Sequence, residues 1–263
     1  MDDDGCYDDR YPLMKFMENF DNPEDGRILQ QKISYRRIVE LSHPIHPNIP
    51  GWRGDPAIVV ESVAYIDREG YFLRQFTMGE HSATHMNAPN SFFRDTAGID
   101  AYSASSLVVP ACVMDCREQS CQNPDYVMTL ADCHAWERQY GQVPTGSLVL
   151  LYTGWQARWH NAAAFLNWDD SGVAHFPGFG VEVVQFLLEQ RAIAGVGTDT
   201  HGVDPGQDVD FSINRLVLAQ PRIVLECLTN LDQLPPIGTT LVIGRLPLQG
   251  GSGSPVSLLA FVP

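Results

Sequence analysis

The sequence predicts an α/β fold: one domain with a mixed β-sheet core and flanking helices. Three observations carry that reading. Seven β-branched, apolar runs bounded by turn residues outnumber two clear helical segments. Strands and helices follow one another in irregular order, which favours a mixed sheet over a doubly wound parallel one. No internal repeat or low-complexity linker divides residues 31–263, and 263 residues are enough for one large core.

The runs, in order, are AIVVESVAYI at 57–66, SLVVPACVMDC at 106–116, SLVLLYTGW at 147–155, AIAGVGTD at 192–199, RIVLECL at 222–228, TTLVIGRL at 239–246 and VSLLAFV at 256–262. The first helix is read in TLADCHAWERQYG. Thr129 and Asp132 form a capping box with Asp in place of Glu or Gln, and Gly141 ends it. The second is VEVVQFLLEQR at 181–191, with apolar residues at 183, 184, 187 and 188 on one face. Ahead of these elements, residues 1–30 hold nine acidic and three basic side chains among Tyr, Phe, Leu and Met. They read as an acidic arm that packs on the body or on a partner subunit, its tip disordered.

Charge and composition narrow the function. A net charge of −15 argues against nucleic acid and anionic membranes as partners. No apolar run approaches a membrane span, and MDDDG lacks the basic and apolar regions of a signal peptide, so a cytoplasmic protein is expected. Six scattered cysteines suit a reducing compartment; Cys112 and Cys116 share one strand face and read as buried free thiols rather than zinc ligands. Neither GxGxxG, GxxxxGK[ST] nor GxSxG occurs, so no nucleotide cofactor and no hydrolase elbow is indicated.

Chemistry concentrates in GEHSATHMNAPNSFF, residues 79–93. His81 and His85 are four apart, a spacing that can present two imidazoles to one metal, or simply two structural histidines. Pro89 holds Ala88 extended, so the pair sits just before a turn. Glu226 lies mid-strand in RIVLECL, on the face of Val224 and Leu228, where a carboxylate must be paired, hydrogen-bonded or metal-bound. Asp199 and Asp204 in GTDTHGVDPG read as turn residues, and His201 between them as a substrate contact or an exposed loop residue. Trp52, Trp155 and Trp159 are candidates for an aromatic pocket.

These residues resemble the cyclase family of metal-dependent hydrolases, which includes bacterial kynurenine formamidase and isatin hydrolase. RIVELSHPIHPNIPGWRGDP, SLVLLYTGWQARW, HFPGFGVEVVQFLLEQRAIAGVGTDTHGVDPG, LECLTNLDQLPPIG and GGSGSPV match its blocks in order, from about residue 36 onward. The resemblance implies a swivelling β/β/α-like domain, a small-molecule substrate, and a homodimer or homotetramer. In the signature HxGTHxDxPxH, His81 and His85 match the two metal-binding histidines, Thr84 the Thr and Pro89 the Pro. Ala83 replaces the Gly, Asn87 the metal-binding Asp, and Ser91 the last His, which resembles the acid/base. Asn214 replaces a second-metal His, while Glu226 keeps the Glu twelve residues later.

Two asparagines at ligand positions remove most of a second metal site. One site remains conceivable, with His81, His85 and Glu226 holding a single Zn or Mn ion and Asn87 as a fourth ligand or a substrate contact. Glu80 and His201 are candidate replacements for the missing base at Ser91; Trp52, Thr84, Asn87 and Asn214 are candidate substrate contacts. The leading expectation is hydrolysis of a small cyclic amide, lactone or N-formyl compound. The alternatives are a metal-free site moving a proton in a cyclisation, isomerisation or dehydration, and a small-molecule binding protein without catalysis.

Overall fold

The computed structural model describes residues 32–263. The acidic arm read in residues 1–30 lies outside them. Twelve strands run β1 Arg37–Glu40, β2 Val59–Ala64, β3 Leu73–Thr77, β4 His85–Asn87, β5 Val108–Asp115, β6 Val127–Met128, β7 Leu148–Tyr152, β8 Gly178–Phe179, β9 Gly195–Thr198, β10 Ile223–Glu226, β11 Thr239–Arg245 and β12 Gly253–Val262. Eight of them form one sheet in the order β1-β12-β11-β5-β7-β9-β10-β4. β5, β7, β9 and β10 are parallel neighbours; the other pairs are antiparallel, so the sheet is mixed as expected. β4 pairs with β10 on one edge and with β12 on the other. The sheet therefore closes on itself through a strand of three residues.

Side-chain alternation sorts the core into two layers. Val109, Ala111 and Val113 of β5, Leu148 and Leu150 of β7, Leu225 of β10 and Met86 of β4 fill one cluster. Cys112, Met114, Val149, Leu151, Val196 and Val224 point the other way. There they meet the buried faces of helices Leu130–Tyr140, Val181–Gln190 and Ser212–Leu218. The first of these helices starts on the expected capping box: Thr129 accepts from the Asp132 N–H, and the Asp132 carboxylate accepts from the Thr129 N–H at 2.8 Å. Cys112, Cys116, Cys133 and Cys227 are free and buried. Among the described residues no helix is long and apolar enough to cross a membrane.

One expectation needs correcting. Glu226 does share the face of Val224, but Leu228 packs in the opposite layer. β10 ends at Glu226, and Cys227 takes a left-handed φ of 57°, which breaks the alternation. Strands β1, β3, β4, β6 and β8 and helices Ile66–Glu69, Arg117–Gln122, Ala162–Leu166 and Ser212–Leu218 are additions to the elements read from sequence.

Candidate active site

The register of β4 builds the centre of the site. His85 is the Cα partner of Glu226 across the β10 pairing. Both side chains face the helices, whereas Met86 and Leu225 between them face the other layer. His85 Nε2 lies 3.0 Å from Glu226 Oε2, and both residues are buried. His85 Nδ1–H donates to the Ala83 carbonyl at 2.9 Å, so the contact with Glu226 also requires a proton between the two. Burial alone would push the Glu226 carboxyl up. The hydrogen bond and charge of His85, with N–H donors from Asn214 and Val203, outweigh burial and hold it at about 2. A proton lies between the two groups, and the sequence expectation of a paired Glu226 is met by a histidine.

Two asparagines then fix a third group. Asn214, on helix Ser212–Leu218, donates its amide NH₂ to Asp204 Oδ2 at 2.8 Å and to Glu226 Oε1 at 3.0 Å. Those carboxylates accept only, so the Asn214 oxygen faces Asn87, whose NH₂ donates to it at 3.0 Å. The Asn87 oxygen is left facing His81 Nδ1 at 2.8 Å. Nδ1 must therefore carry a proton, and Nε2 is the free lone pair of the neutral ring. Burial lowers the His81 pKa, as does the nearby His85 charge, with the Asn87 bond, Glu226 and Glu80 opposing.

His81 Nε2 meets Ser252 Oγ at 2.9 Å. The same hydroxyl lies 2.7 Å from Glu80 Oε2, which also accepts the Ser252 N–H at 2.7 Å. One hydroxyl proton thus stands between two acceptors, an imidazole and a carboxylate. A Cβ on Gly253 would come within 2.6 Å of His81 Cε1, and one on Gly251 within 2.9 Å of Glu80 Oε1. Glycine on both sides of Ser252 is what lets these two groups close on it. In the sequence Ser252 is only one residue of the GGSGSPV block, and nothing there marks the serine itself. Asp204, read as a turn residue, is likewise part of the network. It is buried, accepts from the Ile213 and Asn214 N–H groups, and burial pushes its carboxyl up to about 6.

Other expected site residues take structural roles. The Thr84 hydroxyl donates to the Cys227 carbonyl at 2.6 Å and accepts the His43 N–H at 3.0 Å. Ser91 donates to the Ser252 carbonyl at 2.6 Å and so holds the loop. The Asn87 and Asn214 amides link His81 to Asp204 and Glu226. Asp199 locks the turn after β7 by accepting from Thr153 N, Thr153 Oγ1 and Gln156 N.

His81 also borders a cavity of about 220 Å³, walled by Ile49, Pro50, Trp52, Asp55 and Ile58. Trp52 joins an aromatic cluster, 4.6 Å from Trp168 and 4.8 Å from His201 between ring centroids. His201 packs against Trp52, and burial lowers its pKa to about 4. A larger cavity of about 380 Å³, lined by Arg117, Tyr152 and Asp232, includes none of the residues linked to His81.

His43 backs this cluster. It stacks on Trp159 at 4.0 Å, its Nε2 has no partner, and burial lowers its pKa to about 4, a backbone bond at Leu228 opposing. The unfolded chain takes up this proton near pH 6.5, the folded protein only near 4. The stability is therefore fully present above pH 6.5 and drains as pH falls toward 4. His43→Phe keeps the stack and should remove about 1–2 kcal/mol of the stability lost between pH 7 and 5, after discounting for partial exposure. Urea unfolding of both proteins at the two pH values measures this. Parallel losses would show that His43 titrates alike in both states.

The donor atoms do not fit a metal ion. Among the described residues no group of three or more His, Cys, Asp or Glu side chains is placed to hold one. Both nitrogens of His81 and both of His85 are directed at separate internal partners, not at a common point. With Asn at 87 and 214, the amides satisfy one another and His85 neutralises Glu226, work a cation would otherwise do. The His81, His85 and Glu226 ligand set expected from the sequence is thus drawn into a hydrogen-bonded relay.

The Cyclase family model matches residues 39–205. The chain belongs to the cyclase family. An isatin hydrolase from Roseibium aggregatum is 32% identical over 243 residues, covering 86% of this chain and 92% of the relative. A kynurenine formamidase from Erythrobacter litoralis is 27% identical, covering 77% and 83%. The solved structure of isatin hydrolase A from Ralstonia solanacearum superposes with a TM-score of 0.82 at 34% identity, covering 86% of this chain and 92% of that one. This cyclase-family chain is a hydrolase by kinship, and the family's signature segment in it is the stretch that carries the relay. Ala83, where the signature has Gly, keeps a left-handed φ of 58°. A methyl group is thus tolerated in a conformation that favours glycine, at the bend between His81 and His85.

Proposed function

We propose that this cyclase-family enzyme hydrolyses a small cyclic amide or lactone held between Trp52 and His81, with the His81–Ser252–Glu80 relay moving the proton. The observation that supports it is that His81 both borders the cavity and has its Nε2 lone pair fixed by the two asparagines. A water attacks the carbonyl carbon and yields its proton to the relay. The C–N or C–O bond of the ring breaks, and the departing atom takes the proton back. One water is consumed and the product is a ring-opened carboxylate. His85 and Glu226 do not exchange this proton; they hold Asn214, and through it Asn87, in the orientation that keeps Nδ1 protonated.

Isatin, suggested by the relatives, is the first probe. His81→Ala should lower kcat/KM by at least ~10²-fold with unchanged circular dichroism, the range a positioned acid or base contributes. Turnover should survive a chelator. Activity abolished by chelation and restored by Zn²⁺ or Mn²⁺ would overturn the relay in favour of a metal-bound nucleophile. The same relay, needing no ion, favours one second reading: proton transfer on the substrate alone, in a cyclisation or isomerisation. Product mass separates the two, since only hydrolysis adds a water.

A further inference from the structure

The Trp52 indole, a wall of the cavity beside His81, is backed by one loop. Trp168 lies 4.6 Å from it between ring centroids and Phe176 6.2 Å, and both belong to the stretch between Asn161 and Phe176. Within that stretch the chain doubles back on itself. Trp168 and Ala174 pair as an isolated bridge, and Asp169 accepts the Val173 N–H at 2.8 Å. The Asn167 amide donates to the His175 carbonyl at 2.7 Å, and the Asn167 carbonyl accepts the His175 N–H at 3.1 Å. The Arg53 guanidinium stands over the Trp168 ring, 4.9 Å from its centroid.

The His175 side chain ties this loop to the body. Its Nδ1 lies 2.8 Å from Asp125 Oδ1, on the turn before β6, and its Nε2 lies 3.4 Å from Asp169 Oδ2, on the loop itself. Gln207, after β9, approaches Nδ1 at 3.3 Å and carries no charge. A neutral imidazole has one N–H and one lone pair. It can donate to either carboxylate, but its lone pair then faces the other. Only the imidazolium donates to both. The hydrogen bond to Asp125 accordingly raises the His175 pKa above its ordinary 6.5; burial opposes it, and the bond to Asp169 adds to it.

We infer that protonated His175 is a positioning residue for the site: by clamping Asp169 to Asp125 it holds Trp168 against Trp52, and so sets the wall on which substrate packs. His175, Asp125 and Asp169 neither border the cavity nor join the hydrogen bonds at His81. Their effect reaches substrate through Trp168 and Trp52. Because the raised pKa belongs to the clamped loop, the clamp is closed below the His175 midpoint and opens as pH rises through it. The effect on substrate rests on the cavity beside His81 being its seat; the clamp itself does not.

Two measurements separate these. The full chain, labelled with 5-fluorotryptophan, is titrated by fluorine NMR without substrate, with signals assigned by Trp52→Phe and Trp168→Phe. The Trp52 and Trp168 signals should shift with one midpoint above pH 6.5, shared by the His175 ring protons, while Trp136 in the helix Leu130–Tyr140 stays put. His175→Arg presents a charged donor to both carboxylates at every pH, so its two signals should stay at their low-pH positions. The second measurement is kinetic. At about pH 5.5, His175→Ala should raise KM for isatin roughly twofold to fivefold, the reach of an exposed ion pair, with kcat unchanged. His175→Arg should restore the parental KM and hold it as pH rises. Fluorine signals indifferent to pH, or moving alike in the parent and in His175→Arg, would overturn the clamp. A clamp seen by NMR with KM unchanged in His175→Ala would overturn its positioning role. Absence of isatin turnover would count against the hydrolase reading, and the fluorine titration alone would then uphold or overturn the clamp.

Discussion

Glu226→Ala is expected to destabilise the protein by about 3–5 kcal/mol at pH 7, the cost of removing one partner from a buried ion pair. The loss would leave His85 Nε2 without its partner and strip an acceptor from Asn214 Nδ2 and the Val203 N–H, all in a buried setting. Because the folded carboxyl titrates near 2, below its unfolded value, its contribution is complete above pH 4.5 and disappears as pH falls through 2. A measurement at neutral pH therefore captures the whole effect. Glu226→Gln should recover more than half of it. The amide oxygen can still accept from Asn214 and Val203, and its NH₂ can donate to a neutral His85 Nε2. Chemical denaturation at constant m-value reads both variants. An Ala variant less than about 1 kcal/mol below the parent, the scale of an exposed pair, would mean that the His85–Glu226 contact carries little.

Asn87→Asp should be nearly as damaging, but only without metal. The new carboxylate would face the Asn214 oxygen that Asn87 now donates to, and would add a third buried acid beside Glu226 and Asp204. Asn214 cannot turn to help, since its NH₂ is committed to those two carboxylates. An unpaired buried charge of this kind costs several kcal/mol. A dication would offset it, because charge–charge attraction in a partly dry site far exceeds the ion–dipole interaction Asn offers. Thermal unfolding with and without Mn²⁺ or Zn²⁺ is the measurement. The variant should fall well below the parent in chelator and regain several degrees with metal, at roughly 2–4 °C per kcal/mol for a chain this size. The parent should be indifferent. A parent stabilised by the ion as strongly as the variant would show that His81, His85 and Glu226 do converge on a cation.

Sequence periodicity resolved the long elements and missed the short decisive ones. β5, β7, β11 and β12 are apolar runs of five residues or more, and the capping box at Thr129 is spelled out in the chain. β4 has three residues, too few to show a period, and it becomes a strand only because two distant edges accept it. The His85–Glu226 pair was half legible: Glu226 stood out as a carboxylate in an apolar strand and His85 as one of a histidine pair, but their register needed the sheet. Asp204 was hidden because an Asp before Pro-Gly is adequate turn chemistry. Ser252 was hidden because its importance lies in what its flanking glycines allow to approach. The asparagines were visible as departures from the signature, yet their function as a tautomer lock depends on donor and acceptor directions that no spacing encodes.

The closing strand has a consequence for how activity responds to stress. Both edges of β4 are bound, to residues 224–226 and to residues 253–255, so its anchors lie far away along the chain. Contacts of such high order are entropically costly to form until most of the remaining fold is in place. The strand has no free edge from which to fray. Most globular enzymes lose function through small local openings before they lose structure. Here the Met86 amide should exchange with solvent only through near-global unfolding, and the loss of catalysis on heating should track the cooperative transition rather than precede it. Turnover would then serve as a readout of the whole domain's integrity.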